Sequence, residues 1–182
     1  NDGKKEIVAA AIGGGNRIYI VRSDGTSYPG WTTPLLNTDP IYNDVTPTAA
    51  DLDGDGKMEI VVMEVQRYVD RTNARLNAFR LDGTQLAGFP RNIALPALGS
   101  SAGQLPTANY GSLMIADLDK DGKPEIAWGF SNRLYLFDNS GNVLPGWPFT
   151  AQDYNLKKMV FQSAAASGDI DGDGKLELFS VA

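Results

Sequence analysis

The chain has 182 residues, 42% of them hydrophobic, with 20 glycines and 10 prolines: enough apolar material for a core and enough turn formers for many short strands. It holds no cysteine and no histidine, which excludes disulfides, thiol nucleophiles, thiolate metal sites and imidazole bases. The formal charge is -6, yet 14 of the 22 acidic residues fall within one recurring motif, so the acidity describes that motif and argues neither for nor against a nucleic-acid partner, and none is expected.

Taken in chain order, the sequence opens on NDGKKEI, halfway through the motif. No apolar run approaches the roughly 18 residues needed to cross a bilayer, so direct membrane insertion is not expected. No signal peptide precedes Asn1, and any targeting sequence would lie outside this chain. A strand is predicted at Arg17–Val21, followed by a two-residue hairpin turn at Asp24-Gly25 and a Gly-aromatic pair at Gly30-Trp31. The first complete motif, DLDGDGKMEI, starts at Asp51 and runs into an apolar strand-like stretch. The same succession then repeats. A strand at Arg75–Phe79, a turn at Asp82-Gly83 and Gly88-Phe89 precede DLDKDGKPEI at Asp117; a strand at Arg133–Phe137, Ser140-Gly141 and Gly146-Trp147 precede DIDGDGKLEL at Asp169. The hairpin glycines and the Gly-aromatic pairs both recur every 58 residues.

The motif predicts cation binding. In the first copy Asp51, Asp53 and Asp55 occupy loop positions 1, 3 and 5, Lys57 at position 7 offers a backbone carbonyl, and Glu59 at position 9 closes the shell. The second copy offers Asp117, Asp119, Asp121, Lys123 and Glu125, and the third Asp169, Asp171, Asp173, Lys175 and Glu177. A partial set at the N-terminus comprises Asp2, Lys4 and Glu6. Several carboxylates with a carbonyl and water suit a hard cation, and the ligand number favours Ca²⁺ over the smaller, strictly octahedral Mg²⁺. Three complete sites and one partial one are expected. A polar Asp-Gly turn binding nothing is the bland alternative, but it would gather repelling carboxylates three times over for no gain. An EF-hand needs a bidentate glutamate at position 12, where this chain has Val62, Trp128 and Ser180.

Each unit reads as four short strands, with the acidic loop between the first and second and the hairpin between the third and fourth, the last ending near the Gly-aromatic pair. That is a β-propeller blade. TAADLDGDGKMEIVV and SGDIDGDGKLEL resemble the FG-GAP or VCBS repeats of integrin-α-like calcium-binding propellers, and the GWP ending resembles their bacterial branch. The expected fold is therefore all-β, with three to four blades represented: the last three strands of one blade in 1–36, full blades in 45–94 and 111–150, and the first two strands of another in 160–182. The resemblance implies a larger propeller of six to eight blades, the rest supplied by the same polypeptide or by a partner chain.

Two long connections stand apart from the repeat. One follows the second strand of the middle unit and carries Arg67, Tyr68, Asp70, Arg71 and Asn73; the other leads into the third unit and carries Gln104, Asn109 and Tyr110. Strand alternation puts both on the face opposite the acidic loops, where they are candidates for contacting a protein or glycan ligand. The recurring Trp31, Phe89 and Trp147 read as packing residues. The expected function is a non-catalytic, calcium-stabilised binding, adhesion or scaffold module of a secreted or cell-surface protein. The alternative is the propeller domain of a polysaccharide lyase or hydrolase, for which no pair of residues has an identifying spacing.

Overall fold

In the computed structural model, residues 4–11, 17–32, 34, 36, 42–43, 47–66, 73–95, 112–151, 161 and 164–180 are described. Those residues contain strands and turns and no helix. The chain divides into two compact units, one of Asn1–Ala49 with Met58–Leu98 and the other of Ala50–Lys57 with Gly99–Ala182.

In the first unit β1 (Glu6–Ala11) pairs antiparallel with β2 (Arg17–Arg22), Glu6 opposite Arg22 and Ala11 opposite Arg17. A larger sheet follows. β5 (Glu59–Gln66) lies between β6 (Asn73–Phe79) on one side and two short strands on the other, β3 (Tyr42–Asn43) and β4 (Thr48–Ala50). β7 (Arg91–Ala94) completes it along β6, with Leu76 opposite Arg91. The second unit holds a four-stranded antiparallel sheet in the order β11 (Phe149–Thr150), β10 (Arg133–Phe137), β9 (Glu125–Phe130), β8 (Met114–Ala116), and a pair, β12 (Ala166–Gly168) with β13 (Glu177–Phe179). Among the described residues the pairs β1–β2, β3–β5, β5–β6, β6–β7, β8–β9, β9–β10, β10–β11 and β12–β13 are antiparallel, and the meandering four-stranded sheet is the propeller blade expected from the repeat.

Burial follows from how many faces of each sheet are covered. All six residues of β9, EIAWGF, are buried, as are Glu59 to Val65 of β5, whereas β1 alternates between half-buried and exposed. A strand covered on both faces carries a continuous apolar run, and one covered on a single face alternates. The core of the first unit gathers Ile18, Ile20, Leu36, Ile60, Val62 and Phe79, with Trp31 packed against it and donating its indole N–H to the Ile18 carbonyl at 2.9 Å. The second unit gathers Ala127, Leu134, Leu136, Ala151, Phe161 and Ala165, with Trp147 against it. Both tryptophans thus act as packing residues. Trp128 stacks on Phe130 at 5.1 Å and tilts against Tyr135 at 5.5 Å, geometries that suit the ring quadrupoles.

Two details of the expected blade are corrected. The Asp-Gly turns are not two-residue hairpins, whose favoured types both need positive φ at the first central residue, here the aspartate. At the first, only Gly25 is left-handed (φ 83°); its N–H donates to the Arg22 carbonyl at 2.9 Å and the Arg22 N–H to the Thr26 carbonyl at 2.8 Å, a type I turn closed by a bulge. The cause is Asp24, whose Oδ1 accepts from both the backbone N–H (2.9 Å) and the hydroxyl (2.6 Å) of Thr26. Asp82 holds Thr84 in the same way. The fourth strand also begins after the Gly-aromatic pair instead of ending there: β7 follows Phe89-Pro90 and β11 follows Trp147-Pro148, both prolyl bonds cis. Before the pair only single bridges form, Phe79 to Gln85 and Phe137 to Val143.

Candidate metal centre

Each acidic loop is wound by its own carboxylates. In the third, Asp169 accepts the N–H of Gly172 on Oδ1 at 2.7 Å and that of Gly174 on Oδ2 at 2.9 Å, so the chain coils around this one side chain. Asp171 Oδ1 takes the Asp173 N–H at 3.1 Å, Asp173 Oδ1 takes the Lys175 N–H at 2.8 Å, and Glu177 Oε2 reaches back from β13 to the Ile170 N–H at 2.8 Å. The first loop repeats the coil, with Asp51 accepting from Gly54 at 2.8 Å and Gly56 at 2.9 Å. Winding this tight requires left-handed backbone at position 6, where all three loops have glycine: Gly56 at φ 82°, Gly122 at 87° and Gly174 at 87°.

The second loop departs from its sisters at position 4. Gly122 still donates to Asp117 Oδ2 at 3.0 Å and Leu118 to Glu125 Oε2 at 2.8 Å. Position 4 is Lys120, held at φ 62° where the first and third loops have glycine, and Asp117 Oδ1 is buried without a hydrogen-bond partner.

The coils bring three carboxylate groups together: Asp51, Asp53 and Glu59; Asp117, Asp119 and Glu125; Asp169, Asp171 and Glu177, each with ligand oxygens within 4.8 Å of one another. Glu59 and Glu125 are buried. Burial pushes the Glu125 carboxyl above its ordinary range; the Leu118 N–H opposes that rise, and the charges of Asp119, Asp121 and Asp117 add to it. Oxygen donors that repel one another across a few ångströms, with one buried oxygen unpaired, fit a hard divalent cation. The position-5 residues stand outside the triads: Asp55 and Asp121 each accept the N–H two residues on at 2.8 Å, as Asp173 does, and Asp55 Oδ2 also meets the Lys57 ammonium at 3.1 Å.

Of the other expected sites, Asp2 of the partial N-terminal set lies outside the described residues; Lys4 precedes β1 and Glu6 opens it. Arg67, Tyr68, Asp70, Arg71, Gln104, Asn109 and Tyr110 also lie outside the described residues, while Asn73 is exposed at the start of β6, opposite Ala94. A polar group not anticipated from sequence sits within the first unit. Glu64 is fully buried in β5, accepts from Asn77 Nδ2 at 2.8 Å, and Asn77 Oδ1 in turn accepts from Gln85 at 3.2 Å. Its signal is the single acid within the apolar run IVVMEV that follows Glu59.

Against known proteins, the family model described as an FG-GAP-like repeat matches residues 1–62 and 117–180. Among solved structures, the crystal structure of the V. cholerae biofilm matrix protein Bap1 superimposes with a TM-score of 0.55 at 19% sequence identity. The match covers 99% of this chain and 26% of that one, so the likeness is one of fold and the chain spans about a quarter of that protein's length. No curated protein matches the chain.

Proposed function

The chain belongs to the FG-GAP-like repeat family, and from that premise we propose that it is a non-catalytic, calcium-stabilised propeller segment that serves as an adhesion or scaffold module of a secreted or cell-surface protein. The observation that carries this reading is the triplicate carboxylate triad, above all the buried, unpartnered Oδ1 of Asp117. On our assignment Asp51, Asp53, Asp55 and Glu59, with the Lys57 carbonyl, hold one Ca²⁺. Asp117, Asp119, Asp121 and Glu125 with Lys123 hold a second; Asp169, Asp171, Asp173 and Glu177 with Lys175 hold a third. When bound, the ion supplies the positive charge that the converging carboxylates lack. Its role is structural: an ion that binds the folded loop and not the unfolded chain stabilises the fold by mass action.

Extracellular calcium modules bind in the range of about 10⁻⁴ to 10⁻³ M, which suits sites that fill outside the cell. The biofilm-matrix setting named for the V. cholerae structure supports an adhesive role, with a glycan or protein as ligand, and further blades of the same polypeptide as structural partners. Thermal melting with and without chelator tests the metal. At 1 mM Ca²⁺ against affinities of about 10⁻⁴ M, each site adds roughly 1.4 kcal/mol, so chelation should lower the melting temperature by several degrees and calcium restore it. A melting temperature indifferent to chelator, with no metal by elemental analysis, would reject the proposal. A glycan and matrix-protein binding panel scored for both retention and turnover tests the role, since turnover of a polysaccharide would reject the non-catalytic reading.

A further inference from the structure

The second and third acidic loops lie in one unit and copy one motif, yet they differ around a single side chain. In the first and third loops the position-4 glycine donates its N–H to Oδ1 of the first aspartate, at 2.8 Å from Gly54 and 2.7 Å from Gly172. In the second loop position 4 is Lys120, at φ 62°, and Asp117 Oδ1 is buried with no partner. An oxygen already shared with an N–H gives up less electron density to an ion than a free one, so Asp117 is the better donor. The Lys120 side chain meanwhile leaves its own loop. Its ammonium lies over the third loop, 3.6 Å from where a Cβ on Gly174 would stand, beside the residue whose N–H holds Asp169 Oδ2. A positive charge there offsets carboxylate repulsion without an ion and opposes a dication's approach.

We propose that Lys120 ranks the cation sites of this unit, making the second loop the tighter and the third the weaker. The ranking rests on the calcium reading above. It gives the domain two thresholds: as calcium falls, the third loop empties first and the lysine remains beside it, while the second keeps its ion.

Titration calorimetry of the full chain with CaCl₂ at low ionic strength, with melting temperature checked for every variant, tests this. Silencing the second loop with Asp117→Asn and Asp119→Asn should remove a tighter class of site than silencing the third with Asp169→Asn and Asp171→Asn. Lys120→Met keeps the stem and the left-handed backbone but removes the charge. It should tighten the third site by roughly two- to fivefold and leave the second unchanged, the gain vanishing in high salt because exposed charges are screened within about 8 Å at physiological ionic strength. A third site that ranks equal to or tighter than the second, or a Lys120→Met titration that matches wild type in a folded variant, overturns the ranking alone. Absence of calcium binding in every variant overturns the calcium reading and the ranking with it.

Discussion

Glu64 shows what a single residue costs when the sheet closes over it. It is completely buried, one carboxylate oxygen is bonded to Asn77, and the other has no partner. Burial raises its carboxyl above the ordinary value, and the Asn77 bond and the Arg75 charge opposite recover part of that rise. Between the unfolded and folded values the native state binds more protons than the unfolded chain, so stability falls as pH rises through that window. Above it the fold carries a buried carboxylate. Glu64→Gln preserves an acceptor for Asn77 and removes the charge; it should melt above wild type at about pH 7, with the gap closing as the pH falls toward about 4, where wild-type Glu64 is itself neutral. Equal melting curves at neutral pH would contradict this. The position was legible only through the repeat: Glu64 stands five residues after the loop glutamate, as Phe130 does in the next unit, so the alignment marks it as core while its own chemistry says surface.

At the scale of elements, the acidic loops were readable because a coil wound around its own carboxylates needs aspartate and glycine at fixed positions. The hairpins were readable in place but not in type. Asp-Gly favours a two-residue turn by backbone preference, but the Asp24 to Thr26 and Asp82 to Thr84 bonds, which depend on the residue after the glycine, select the bulged form. The hairpin glycines Gly25 and Gly83 also differ in what surrounds them, which no motif records. Gly25 has open space around it, whereas a Cβ on Gly83 would meet the Thr32 hydroxyl, itself fixed by its hydrogen bond to the Asp82 carbonyl at 2.9 Å. Gly25→Ala should therefore cost only the left-handed penalty of about 1–2 kcal/mol. Gly83→Ala should cost roughly 1–3 kcal/mol more through overpacking. Urea unfolding of the two variants checks the difference, and equal losses would mean that Thr32 yields freely. A third test concerns the covered sheet: Trp128→Ala should cost about 3–5 kcal/mol, because the indole, 1% exposed, packs against both Phe130 and Tyr135.

For the whole molecule, the sequence conveyed the all-β class and the repeat, because both follow from periodic turns and strands. It did not convey which faces stay uncovered. Ile7 in β1, Phe149 in β11, Ile170 in the third loop and Phe179 in β13 are between 47% and 67% exposed, while Leu52, the first-loop counterpart of Ile170, is wholly buried. Apolar side chains on strands with an open edge invite pairing with other chains. The 182-residue chain alone should self-associate as concentration rises, and Ile7→Lys with Phe179→Lys should suppress it; sedimentation velocity across a concentration series reads both. A strictly monomeric wild type would show that these faces are tolerated in water.

The hydrogen bond from Asn139 Nδ2 to the Leu52 carbonyl, 2.9 Å long, joins residues 87 positions apart and fastens the hairpin after β10 to the first acidic loop. Its consequence is one of timing. The coil made by Asp51 needs only its immediate neighbours, but this carbonyl contact waits for a hairpin that leaves the ribosome long afterwards, and the closure entropy of that separation must be met before it forms. The first loop is thus completed late although it is synthesised early, and an ion taken up there would report tertiary assembly as well as the loop's own coil.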